Sequence, residues 1–248
     1  MSVLSIDKRE SHWALTLQRP DKLNALSAEL VDALLDAVEA AAREAVPILT
    51  LHGEGRCFST GFDMTDVERQ SEGDLLLRFV RIETLLQRIA SSPCFTIAFA
   101  HGRNFGAGVD LIAACNLRVA APGSTFRMPG LKFGLVLGSA RFARIVGNHE
   151  ARRILETAAT FDADRAVALG FIEQIASPEN HATIVTEALA RVGELTAASR
   201  ALLYRALDAE TPDSDLAALV RSAAAPGIHQ RIDAYRNAGK VGRTPAAK

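Results

Sequence analysis

The run "CFTIAFAHG" (residues 94–102) is apolar almost throughout, without the in–out alternation of a half-buried strand. A strand of this kind is covered on both faces, as in a parallel sheet packed between helices. A second buried strand, "ILTLHG" (48–53), has the same character. An amphipathic helix precedes each of them. From residue 28 to about 45, Leu30, Val31, Leu34, Leu35, Val38 and Ala41 recur at helical spacing, while Glu29, Asp32, Asp36 and Glu39 take the opposite face; Ser27 is the N-cap and Pro47 the stop. The second helix covers about 73–90. Upstream, "VLSIDKRE" and "WALTLQRP" read as two short strands; downstream, "LRVAAP" and "STFRMPGLKFG" add strand and loop. Beyond Gly138 helical patterns dominate, broken by one short strand, "FIEQIA". The fold class is α/β, with 1–192 as the core and 193–248 as a helical C-terminal region whose end, "GRTPAAK", reads as a frayed tail.

At 248 residues the chain suits one large domain, or one domain with a small appendage. A formal net charge of -1 gives no basic field for nucleic acid or for an anionic membrane. Three cysteines, Cys57, Cys94 and Cys115, form neither an even framework nor a CxxC, which points to a reducing cytosol. No apolar run approaches the ~20 residues of a membrane span, and "MSVLSIDKRE" lacks the apolar core of a signal peptide. None of the six histidines has metal-ligand spacing, so no metal is expected. The expectation is a soluble, cytoplasmic protein.

Two glycine loops follow the two buried strands, "GEGRCFSTGFDM" and "GRNFGAG". Each is expected to present backbone N–H groups near a helix start, where negative charge is favoured. Neither is a nucleotide loop. "GEGRCF" has Phe58 where a dinucleotide fingerprint needs its third glycine, "GRNFGAG" is spaced G-x-x-x-G-x-G, and no G-K-[ST] follows. An oxyanion hole asks only for two N–H groups from separate segments meeting at one oxygen, and Phe62 and Ala107 are the candidates. Two tight turns would account for the same glycines.

The segments "RPDKLNALS", "GEGRCFSTGFDM", "HGRNFGAGVDLIAACNLRVAA", "FRMPGLKFGL", "ARIVG" and "DADRAVALGFIEQI", in this order over about residues 15–175, resemble the crotonase superfamily of enoyl-CoA hydratases and isomerases. The resemblance implies a crotonase-like spiral of β-β-α units with a C-terminal helical region that packs as a homotrimer, often paired into a hexamer. It implies an acyl-CoA thioester as substrate, of the kind met in fatty acid metabolism, and no cofactor beyond the coenzyme A of that substrate. The thioester oxygen would be held by the amides of Phe62 and Ala107 as an enolate. Coenzyme A would lie along Ser59, Thr60, Gly61, Asp63 and Met64 and beside Gly106 and Gly130, and Tyr235 would help to close the site.

Two glutamates carry hydration in that family. The first corresponds to Asp110, one methylene shorter; the second belongs after Pro129, where this chain has Gly130. Leu137 stands where the family usually has proline, in a segment about three residues short. Two-carboxylate hydration is therefore not expected. What remains is enolate chemistry run with Asp110 or a water (modified hydration, decarboxylation, C–C hydrolysis or thioester hydrolysis), or a coenzyme A-thioester-binding protein without turnover. Asp110 also has a structural reading, as an acid favoured in the first turn of a helix. Asp63 suits a cap or loop anchor for the helix that follows, and His101 a packed, hydrogen-bonded residue. Arg103 and Arg141 suit the surface or a phosphate ahead of a substrate carboxylate, and Cys57 and Cys115 suit small apolar fillers.

Overall fold

The structure, a computed structural model, describes residues 2–208 and 212–241. The chain opens with a hairpin of β1 (Leu4–Lys8) and β2 (Trp13–Leu17), followed by α1 (Ala28–Arg43), β3 (Ile48–Gly53) and α2 (Glu72–Ala90). The middle runs β4 (Phe95–Ala100), β5 (Arg103–Phe105), α3 (Ala107–Ala113), β6 (Leu117–Ala120), β7 (Thr125–Arg127), α4 (Ser139–Val146) and α5 (Asn148–Thr157). After β8 (Phe161–Asp162), α6 (Ala163–Ala168) and β9 (Gln174–Ile175), four helices complete the described chain: α7 (His181–Gly193), α8 (Ala197–Asp208), α9 (Pro212–Ala223) and α10 (Ile228–Val241). The tail that the sequence marks as frayed, 242–248, lies outside the described residues.

Six strands form one sheet in the order β1-β2-β3-β4-β6-β9, parallel except for the β1–β2 hairpin. A smaller sheet has the order β5-β7-β8. β4 pairs with β6 in the large sheet and β5 pairs with β7 in the small one, both parallel. Two successive turns of chain, β4-β5-α3 and β6-β7-α4, therefore each lay one strand in each sheet and then a helix. β5 is a correction: the sequence reads "GRNFGAG" as a loop, but Arg103–Phe105 within it pair with Thr125–Arg127.

β4 is buried along its whole length, as its composition demands. Phe95, Ile97 and Phe99 join Ile48 and Val119 against Ile184, Val185, Ala188 and Val192 of α7. Ala98 and Ala100, on the other face, join the main core with the inward stripes of α1 and α2. Each large side chain removed from water on these faces contributes roughly 1.5–3 kcal/mol. All six apolar positions of α1 are buried, and Ser27 Oγ accepts the Leu30 amide as the expected cap. α2 has a stronger start than its sequence reading: Ser71 and Asp74 form a reciprocal capping box. The C-terminal helices fold back on the core, α9 against α2 and α10 against a short 3-10 turn at Gly130–Phe133. Among the described residues no helix is long and apolar enough to cross a membrane.

Candidate functional site

The loop after β3 is held by the turn before α1. Asn24, with φ 52°, donates its side-chain amide to Glu54 O at 2.8 Å and Cys57 O at 2.9 Å. Ser59 Oγ donates to Asn24 O at 2.8 Å and accepts the Gly61 amide at 3.2 Å. Leu26 N–H then donates to Gly61 O (2.7 Å), and Asp63 N–H donates to Leu26 O (3.2 Å), in a single parallel bridge between Leu26 and Phe62. Backbone groups alternate in direction along an extended segment. The Phe62 N–H thus lies on the side away from Leu26, and no partner for it is found among the described residues. The expectation of a helix start beside this loop fails, since a turn at Val67–Arg69 intervenes; α2 runs Glu72–Ala90, where its apolar spacing puts it. Phe62 owes its orientation to pairing with Leu26 instead. Its ring stacks on Phe79 at 4.4 Å, with the Arg78 guanidinium over its other face at 4.1 Å.

The second segment lies directly against the first. Phe105 N–H donates to Ser59 O at 3.2 Å, and Gly106 N–H to Arg127 O at 2.8 Å. α3 starts at Ala107, whose N–H is one of the unpaired donors of a helix start. Gly61 makes the approach possible. Its φ is +80°, and a Cβ there would overlap Phe105 O and stand 2.8 Å from Ala107 N.

Phe62 and Ala107 share the wall of a cavity of about 320 Å³ with Thr60, Met64, Gly106, Asp110, Gly130 and Tyr235. Leu131, Phe133, Leu135 and Leu137 make the remaining wall largely apolar. Tyr235 reaches it from α10, packed on Phe133 at 5.3 Å. Ser59 and Asp63 do not line it. The Ser59 hydroxyl is engaged within its own loop, and Asp63 pairs with Arg19 at 2.8 Å while accepting the Thr65 amide at 2.9 Å. Burial opposes ionisation of Asp63, but the bonds from Thr65 and Arg19 outweigh it and hold the carboxyl below the usual range. Asp63 anchors the loop; Ser71, not Asp63, caps α2. His101 bonds Gly55 O at 3.0 Å, Arg103 is exposed, and Cys57, Cys94 and Cys115 are buried free thiols.

Asp110 sits on the fourth residue of α3, 2% exposed. A side chain at Gly138 would overlap its carboxyl, so bare backbone closes over it. Burial pushes the Asp110 carboxyl well above the usual range; Arg141 works against this and Glu83 adds to it. The proton-bearing form is favoured. Gly130, at the vacant position of the second acid, presents only backbone.

Arg141 departs from its sequence reading. It is 7% exposed, in the first turn of α4, and donates to Glu83 Oε1 at 3.1 Å. Glu83 escaped the sequence reading, although a signal existed: it falls four residues after Phe79 and three before Leu86, on the apolar stripe of α2. Among the described residues, no cluster of three or more His, Cys, Asp or Glu could hold a metal ion.

The fold is α/β, with a six-stranded and a three-stranded sheet, and the two glycine segments meet at a largely apolar cavity whose lining includes one acid, Asp110. The model of the enoyl-CoA hydratase/isomerase family matches residues 7–226, and the chain belongs to that family, within the crotonase superfamily. A Bordetella parapertussis protein of known crystal structure, assigned to the same enoyl-CoA hydratase/isomerase class, superposes with a TM-score of 0.93 at 56% identity, over 95% of this chain and 99% of its own. A probable enoyl-CoA hydratase of Mycobacterium leprae is 31% identical over 70% of this chain and 71% of its own. An ethylmalonyl-CoA decarboxylase of Gallus gallus is 32% identical over 60% of this chain and 51% of its own.

Proposed function

We propose that the protein transforms an acyl-CoA thioester through an enolate, with the Phe62 and Ala107 amides on the thioester oxygen and Asp110 as the group that exchanges a proton with the α-carbon. The observation that carries this is the pair of unpartnered amides from two separate segments on one cavity wall, beside a buried carboxyl. A fixed N–H donor aimed at a developing oxyanion is worth about 2.7–4 kcal/mol of barrier. Thr60, Met64, Gly106, Gly130 and Tyr235 would border the thioester arm. Ser59 and Asp63 would act one step back, by shaping the loop.

Hydration needs one group for water and another for the α-carbon, and Gly130 supplies no second group. A proton-bearing Asp110 instead suits loss of CO2 from a malonyl-type thioester, a reading that likeness to the decarboxylase also supports. There the C–C bond to the carboxylate breaks and its electron pair enters the enolate. The Asp110 proton then moves to the α-carbon, and water returns a proton to the carboxylate.

The test is α-proton exchange in deuterated water with a panel of saturated acyl-CoAs, which reports enolate formation whatever the product. Exchange lost in Asp110→Asn supports the reading. Tight coenzyme A binding with no exchange or turnover on any substrate would point to a binding protein. The assembly we propose is a homotrimer, alone or paired; a stable monomer in sedimentation would contradict it.

A further inference from the structure

Three helices that pack at the cavity wall each bury an ionisable side chain: Asp110 of α3, Glu83 of α2 and Arg141 of α4, at 2%, 0% and 7% exposure. Arg141 donates to Glu83 Oε1, which also accepts from Gln87 Nε2 at 3.2 Å. Glu83 Oε2, Arg141 Nη1 and Asp110 Oδ1 have no hydrogen-bond partner among the described residues. A buried ion pair is weak ground for stability, because stripping water from both ions offsets their attraction. Stability alone is therefore a poor reason for a glutamate on a stripe otherwise made by Phe79, Ile82 and Leu86.

Its position relative to Asp110 supplies a better one. Arg141 attracts an ionised Asp110 and Glu83 repels it, so Glu83 offsets part of that attraction. Without Glu83, the guanidinium would be the one strong charge facing Asp110 and would draw it into an ion pair, where it could no longer carry a proton. We propose that Glu83 and Arg141 are positioning residues for Asp110: the pair turns the guanidinium onto Glu83 and keeps it from pairing with the Asp110 carboxyl at the cavity wall. The significance of this device rests on Asp110 being the proton carrier of the enolate reaction.

The other groups around the cluster are accounted for. Asp215 of α9 acts on Glu83 and is itself held by Arg144 of α4 at 3.4 Å. Ser139 and Tyr235 are the further protic side chains on the cavity wall near α4 and α10. From Gly138 only backbone faces the carboxyl.

Infrared difference spectra tell this role from a structural one without any substrate. The carbonyl band of a protonated buried carboxyl, assigned to Asp110 by its loss in Asp110→Asn, should persist in the wild-type chain above the range in which a free aspartic acid ionises. In Glu83→Gln its titration midpoint should fall by about one pH unit or more, a tenfold or greater drop in proton affinity. Arg141→Gln should not lower it, and Glu83→Asp, which withdraws the carboxylate by one methylene, should fall between wild type and Glu83→Gln. A wild-type midpoint no higher than that of a free aspartic acid would overturn the proposal, as would an unmoved midpoint in folded Glu83→Gln. If Glu83→Gln does not fold, an unmoved midpoint in Glu83→Asp overturns it equally. An unmoved midpoint with normal α-proton exchange defeats the positioning role and spares the enolate reading; a moved midpoint without exchange does the reverse.

Discussion

A carboxyl without water, and with one oxygen lacking any hydrogen bond, keeps its proton until a nearby cation outweighs the cost of burying a charge. Burial shifts Asp110 towards that state, and this fixes the direction of its pH dependence. A step in which Asp110 delivers a proton should be complete at low pH and fade as pH rises through its raised titration point. The α-proton exchange of saturated acyl-CoAs, which needs the ionised form, should instead grow over the same range. Asp110→Asn should lower exchange by about 10²-fold or more, within the usual span for general acid–base groups. An equal pH trend for the two reactions would contradict the assignment. Gly130 allows the converse experiment. Its φ is ordinary, but a Cβ would stand 3.0 Å from Leu135 O, so the chain must give slightly. Gly130→Glu should raise hydration of a short enoyl-CoA; no gain, with the fold intact and the carboxylate in the cavity, would remove Gly130 from the place of the second acid. Asp110 and Gly130 stand out in the sequence through the family resemblance, which places its two glutamates at these positions. Glu83 is not, since one charged residue on an apolar stripe looks like a solvated edge until another helix is known to cover it.

Among the elements, long periodic ones are legible and short ones are not. α1 and α2 follow from apolar spacing, and β3 and β4 from their apolar runs. β5 and β8 have only three and two residues, too few for any period to register. They exist because a neighbouring strand offers its free edge. The pairing of the two glycine segments is hidden for the same reason, since one loop takes its conformation from the turn before α1 and offers its surface to the other. Gly61 is the hinge of that arrangement. Gly61→Ala would press a methyl into Phe105 O and the Ala107 amide, in a conformation that L side chains rarely adopt. We expect a loss of about 1–3 kcal/mol in stability and a disproportionate fall in exchange, because moving either amide off the oxyanion removes about 10²–10³-fold in rate. Denaturant melts and exchange rates on the same sample check this; a destabilised variant with undiminished exchange would show that the two segments need not touch.

For the whole molecule, the two sheets place one titrating group on each side of the large sheet, and their effects on stability oppose each other. On the α7 side, His52 stacks on Phe99 at 4.9 Å and faces His181 at 5.8 Å, with its Nε2 bonded to Thr50 Oγ1 at 2.9 Å. Burial, with the charge of His181 second, pulls its pKa from 6.5 to about 4. Between those values the unfolded chain binds a proton that the native histidine refuses, so this contribution to stability is lost as pH falls. Asp110, among the helices opposite, does the reverse. Its native carboxyl keeps a proton that the unfolded one releases near 3.8, so its contribution falls as pH rises from there. Each group can impose a slope of up to about 1.4 kcal/mol per pH unit, with opposite signs. Between pH 6.5 and about 4, where the His52 slope acts, the Asp110 slope opposes it for as long as the native carboxyl keeps its proton. His52→Gln should leave stability declining with rising pH relative to wild type, and Asp110→Asn should leave it climbing and raise the melting temperature at neutral pH. Urea melts of the three chains across this range measure the slopes, and packing lost at His52 lowers its curve without tilting it. Parallel curves would mean that neither group changes its proton affinity on folding, which would remove the buried, proton-bearing carboxyl from the cavity wall.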